Sequence, residues 1–163
     1  MPVQPSAIDH VGIAVPDLDA AIAFYTHTLG GRLAHRETNP AQGVQEAMIE
    51  FGPGAQVQLL APLGPDSTIA KFLDRNGPGL QQLALRVPDV QAAAQAARAA
   101  GVRTLYDQAR VGTAGSSINF LHPKDTGGVL VELVQPAPPA QSGHDAPGAA
   151  SAESAHPSGT MVK

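Results

Sequence analysis

Apolar and polar residues alternate through residues 8–15, with Val11, Ile13 and Val15 on one side and His10, Gly12 and Ala14 on the other. A period of two is that of a half-buried β-strand. The period changes after Pro16-Asp17. Leu18, Ile22, Tyr25 and Leu29 fall on one helical stripe, with Asp17 as the N-cap, Asp19 in the first turn and Gly30-Gly31 as the stop. Residues 32–38 and 44–51 read as strands about a turn at 39–43, and 55–61 as a fourth strand after Gly52-Pro53-Gly54. The order then repeats: strand 80–87, helix 89–100 ended by Gly101, and strands near 103–107, 116–121 and 128–135. Between the two runs, Ile69, Phe72 and Leu73 follow helical spacing behind Ser67, a short helix within the linker 62–78.

The repeat extends to individual residues. Ile8-Asp9-His10-Val11-Gly12-Ile13-Ala14-Val15-Pro16-Asp17 matches Leu80-Gln81-Gln82-Leu83-Ala84-Leu85-Arg86-Val87-Pro88-Asp89, and Val57-Gln58-Leu59-Leu60-Ala61-Pro62 matches Val131-Glu132-Leu133-Val134-Gln135-Pro136. A repeat at this spacing predicts two stacked copies of one βαβββ unit. The fold class is therefore α+β: two tandem modules, about 7–62 and 79–136, in one curved mixed sheet. The module helices should cover the apolar outer face and leave a concave cleft. His10 becomes the counterpart of Gln82, and Gln58 that of Glu132. All four sit on the cleft side of strands otherwise rich in Val and Leu, where a polar side chain needs a partner.

The 163 residues suit one domain with a substantial core. Residues 1–6 form an N-terminal extension and 7–136 the folded domain. Residues 137–163 are Ala, Pro, Ser and Gly with scattered charges, a composition that predicts a disordered tail in which His144 and His156 are solvated. A net charge of −4 and the absence of any basic cluster argue against nucleic acid. No apolar run is long enough for a membrane span, and the N-terminus lacks the basic and apolar regions of a signal peptide, so a cytoplasmic protein is expected. The chain has no cysteine, which leaves His, carboxylate and amide groups as the only possible metal ligands.

These segments resemble the vicinal oxygen chelate superfamily, the paired-βαβββ group of glyoxalase I and the extradiol dioxygenases. Within it they are most similar to the methylmalonyl-CoA epimerase family. The likeness spans about 7–136. It is carried by the opening strand 8–15, by the linker 61–73, and above all by Ile118-Asn119-Phe120-Leu121-His122-Pro123-Lys124-Asp125-Thr126-Gly127-Gly128-Val129-Leu130-Val131-Glu132-Leu133. The resemblance implies a divalent metal, cobalt with manganese, nickel or zinc as alternatives, on His10, Gln58, Gln82 and Glu132. These are the four positions that the repeat pairs. Gln81-Gln82 stands where the family usually has His-His, so an amide replaces one imidazole. The family's second acid near the metal matches Glu46. The resemblance further implies an acyl-CoA substrate and a homodimer.

An epimerase acting beside a thioester must stabilise an enolate and present an acid-base group to each face of the α-carbon. Glu46 and Glu132 are the candidates. His122 and Lys124 are candidates for substrate contact, whereas Glu50, His27 and His35 read as surface groups. A glyoxalase I-type lyase is the alternative enzyme, and a metal-free small-molecule binder the non-enzyme alternative. An extradiol dioxygenase needs two histidines and a carboxylate on iron, and only His10 occupies a ligand position.

Overall fold

β1 (Ala7–Ala14), β4 (Gln56–Pro62) and β5 (Gly79–Arg86) form the middle of a single eight-stranded sheet. The remaining strands are β2 (Arg32–Asn39), β3 (Val44–Glu50), β6 (Arg110–Val111), β7 (Ser117–Leu121) and β8 (Val131–Gln135), in the order β2-β3-β4-β1-β5-β8-β7-β6. The structure is a computed structural model, and it describes residues 1–139; His144, His156 and most of the expected tail lie outside them. β1 runs parallel to β4, as β5 does to β8, and the halves meet where β1 pairs antiparallel with β5. Gly12 faces Gln58 in one half and Ala84 faces Glu132 in the other, which is the register that the sequence repeat requires.

The first two helices start behind the expected caps, Asp17 and Ser67, and the third starts behind Asp89, which caps the helix rather than opening it. The side chain of Asp17 accepts from Ala20 N ahead of α1 (Leu18–Ala23), Ser67 from Ala70 N ahead of α2 (Thr68–Asn76), and Asp89 from Ala92 N ahead of α3 (Val90–Ala99). α1 continues as a π-helical turn over Phe24–Thr28 before Gly30, at φ 75°, ends it. Leu18 packs with Val15, Ile49 and Leu59 under α1, and Val90, Ala93 and Ala97 pack with Val87 and Leu133 under α3. These two helices cover the outer face. α2 does not. Its Ile69 packs on Ala14, Val44 and Leu60, the concave-face residues, so the linker helix forms one wall of the cleft.

The second half departs from the expected copy. No strand forms over 103–107; a lone bridge joins Thr104 to Leu121, and the edge strand is Arg110–Val111. The reason is Asn119, fully buried. Its amide takes a hydrogen bond from Tyr106 N (3.3 Å) and donates one to Tyr106 O (3.0 Å), standing in for the ladder partners of a strand. β8 begins at Val131 rather than 128, because Gly127 and Gly128 adopt φ 72° and 91° in a turn. Among the described residues no helix is long and apolar enough to cross a membrane.

Candidate active site

Two β-bulges shape the site. Along the β1–β5 seam, Ile8 and His10 pair with the adjacent residues Leu85 and Ala84, so Asp9 is extra. Gly12 and Ile13 pair with Gln82 and Leu80, so Gln81 is extra. The bulges are at equivalent places in the two halves, each just before a candidate ligand, where a bulge re-aims the following side chain. Gly12 is needed opposite Gln82, because a Cβ there would come within 2.4 Å of Gln82 Cγ.

The four side chains paired by the repeat converge. His10 Nε2 is 3.1 Å from Glu132 Oε2. Gln82 Nε2 donates to Glu132 Oε2 (2.7 Å) and Gln58 Oε1 (3.1 Å) and approaches His10 Nε2 to 3.4 Å. His10, Gln58 and Glu132 are each at least nine-tenths buried. Glu46 joins from β3. Gln58 Nε2 donates to Glu46 Oε2 and to Thr113 Oγ1, and Thr113 donates to Glu46 Oε1, each at 2.9 Å. Thr113 belongs to a short 3-10 turn, Thr113–Gly115, in which Ala114 sits in the left-handed region at φ 53°. The Ala114 N–H donates to Glu37, the cross-strand partner of Glu46. A non-glycine residue held there carries about 1 kcal/mol of strain or more.

These contacts fix which atoms face inward. Asp9 holds His10 Nδ1 at 2.9 Å, leaving Nε2 for the cluster. Glu46 and Thr113 hold the Gln58 amide nitrogen, leaving Oε1 for the cluster. Burial works against protonation of His10, but hydrogen bonds and charge from Asp9 and Glu132 outweigh it and raise its pKa to about 9. Burial, reinforced by Glu37 and Glu132 and opposed by Thr113, raises Glu46 to about 7. Asp9 is partly buried, which works against its ionisation, yet His10 and Arg86 keep its carboxyl below the usual range.

The donor set fits a divalent cation. An imidazole nitrogen, an amide oxygen and a carboxylate oxygen already point at one place. A half-turn of the Gln82 amide, which exchanges its nitrogen and oxygen, adds a second amide oxygen. The spacings of 2.7–3.4 Å are those of atoms sharing a metal at about 2.0–2.2 Å. Two donors are amides, and among the described residues no three His, Cys, Asp or Glu side chains gather as a metal site.

A cleft of about 300 Å³ opens on this cluster, lined by Glu46, Gln58, Gln82, Thr113 and Glu132 among others. The expected substrate contacts His122 and Lys124 do not line it. His122 instead caps the turn Pro123–Asp125, its Nδ1 accepting from Lys124 N at 3.2 Å. Glu50 pairs with Arg32 at the surface and His27 is exposed, as expected. His35 is only half-exposed and contacts Glu37. Sequence reading missed Asp9 and Thr113. Asp9 follows from the bulge, which alternation hides. Thr113 is brought in by a turn distant in sequence, and no sequence signal pointed to it.

The chain matches the model of the glyoxalase/bleomycin resistance protein/dioxygenase superfamily over residues 9–120. It is 42% identical over 130 residues to the ethylmalonyl-CoA/methylmalonyl-CoA epimerase of Cereibacter sphaeroides, covering 78% of this chain and 96% of that one. The crystal structure of methylmalonyl-CoA epimerase from Mycobacterium tuberculosis superposes with a TM-score of 0.81 at 55% identity, covering 85% of this chain and 92% of that one. A variant of the Streptomyces coelicolor methylmalonyl-CoA epimerase in complex with 2-nitronate-propionyl-CoA gives 0.80 at 47%, covering 82% and 96%.

Proposed function

The chain belongs to the glyoxalase/bleomycin resistance protein/dioxygenase superfamily, and we propose that it is a metal-dependent epimerase that interconverts the (R) and (S) forms of methylmalonyl-CoA. The observation that carries the reading is the placing of two carboxylates, Glu46 and Glu132, in one cleft around a convergent set of donors. The likeness to epimerases along nearly the whole folded domain supports the substrate class.

His10, Gln58, Gln82 and Glu132 would hold the metal, with cobalt, manganese, nickel and zinc all compatible with nitrogen and oxygen donors. A cation held there would supply Lewis-acid stabilisation of the negative charge that develops on the thioester oxygen. Glu46 takes or gives the α-proton on one face. A carboxyl titrating near 7 serves both directions at neutral pH. Thr113 and Gln58 keep it oriented by donating to its two oxygens. Glu132 serves the other face through its carboxylate. The burial of Glu46, Gln58 and Glu132 limits water around the reacting groups.

The test is deuterium incorporation at the α-carbon of methylmalonyl-CoA in D₂O. Glu46→Gln should abolish interconversion of the epimers and exchange of the one whose α-proton faces Glu46, while metal content, measured by elemental analysis, stays that of the wild type. Full exchange in that variant would remove Glu46 from the mechanism. A wild type that binds no metal under any loading favours a metal-free binding protein.

A further inference from the structure

Among the described residues Arg110 is the one arginine or lysine lining the catalytic cleft. Its guanidinium carbon lies 3.7 Å from the centre of the Tyr106 ring, and Tyr106 meets Phe120 edge-on at 6.1 Å. Both aromatic residues line the same cleft. Arg32, Arg36, Arg86 and Arg103 are each paired with a carboxylate. Among the described residues Arg110 has no such partner, and it is exposed. A guanidinium laid on an aromatic face is held in place while its edge N–H donors stay free, and it remains charged at any accessible pH.

The position is informative. Arg110 is fixed on β6 opposite Ile118, three residues before Thr113, which touches Glu46. Three residues span at most about 11 Å, so the cation belongs to the same short segment as a group at the reacting end. The other charged groups lining this cleft are Glu46 and Glu132, which by themselves repel an anion. An acyl-CoA with an α-carboxylate is anionic at the acyl end and again at the phosphates.

We propose that Arg110, held on Tyr106, anchors an oxyanion of the acyl-CoA substrate at the edge of the cleft. The inference rests on the epimerase reading and adds a binding residue to it. Its contact is made alike in ground and transition states, so removing it acts on KM more than on kcat.

The experiment compares the wild type with Arg110→Gln and Arg110→Lys. The ligands are methylmalonyl-CoA, methylmalonyl-pantetheine, which lacks the phosphates, and propionyl-CoA as an inhibitor, which lacks the carboxylate. Arg110→Gln should raise KM for methylmalonyl-CoA about tenfold or more, as loss of a charge-assisted contact does, with a much smaller fall in kcat. Arg110→Lys, which keeps the charge but not the planar fork, should fall between. A matching loss of propionyl-CoA affinity assigns the anion to a phosphate; a loss confined to the two carboxylate-bearing substrates assigns it to the acyl carboxylate. Tyr106→Leu should reproduce part of the effect by removing the perch. Unchanged KM and inhibition constants in a folded Arg110→Gln protein overturn the proposal. If the wild type fails to exchange the α-proton, the epimerase reading fails instead, and calorimetric binding of methylmalonyl-CoA and propionyl-CoA to wild type and Arg110→Gln still decides the anchor.

Discussion

The carboxylate of Asp9, 2.9 Å from Nδ1 of His10, decides which ring nitrogen the cluster receives. It also ties the strand to Arg86 on β5 at 2.8 Å. Loss of such an orienting partner commonly costs 10–100-fold in metal affinity. Asp9→Asn should therefore weaken cobalt binding, measured by calorimetry, by about that factor, and unchanged affinity would reduce Asp9 to a structural role. Gln82 is the counterpart of His10, and it presents an amide where its half of the repeat would be expected to supply an imidazole. Amide oxygen is a poorer partner than imidazole for cobalt or zinc. Gln82→His should tighten cobalt binding in the same assay; no change would mean that Gln82 does not reach the metal. Gly12 leaves the space that the Gln82 side chain occupies.

Among the elements, the irregular segment between α3 and β6 departs most from the pattern along the chain. It is fastened by side chains rather than by a ladder. Asn119 bonds both backbone groups of Tyr106. Arg103 contributes its backbone N–H and two guanidinium N–H groups to Asp125, at 2.7–3.0 Å. Those bonds hold the Asp125 carboxyl well below the usual carboxylate range. A group whose folded pKa is depressed stabilises the fold above its unfolded value, 3.8 here, and loses that contribution as pH falls through and below it. Asp125→Asn should therefore lower Tm by a constant amount between about pH 8 and pH 5, with the gap closing below about pH 4, as scanning calorimetry can follow. A gap independent of pH down to 3 would exclude the ion pair as its cause.

At the scale of the molecule, the two modules share one sheet through the antiparallel β1–β5 seam, and the site uses residues from both. Neither half can open without breaking that seam. Unfolding should thus be a single transition. The chain offers a direct check, since it has two tyrosines and no tryptophan, with Tyr25 packed under α1 in the first module and Tyr106 beside Phe120 in the second. Tyrosine fluorescence of Tyr106→Phe and of Tyr25→Phe should each coincide with that variant's own far-UV circular dichroism curve in urea; separated midpoints would mean that the halves unfold independently. Much of this architecture was legible along the chain. Periods of 2.0 and 3.6 follow from backbone geometry alone, and caps such as Asp17 and Ser67 are local events. The repeat alone pairs His10 with Gln82 and Gln58 with Glu132, because duplicated units place equivalent residues on equivalent faces. Other features depended on contacts between distant segments. The bulges at Asp9 and Gln81 arise from the pairing of β1 with β5, the missing strand from Asn119 reaching Tyr106, and the cleft wall from α2 folding onto the concave face. Thr113 and Arg110 enter the site for the same reason. Local periodicity tells which way a residue faces along its own strand, and only the packing of segments far apart in sequence decides what it faces.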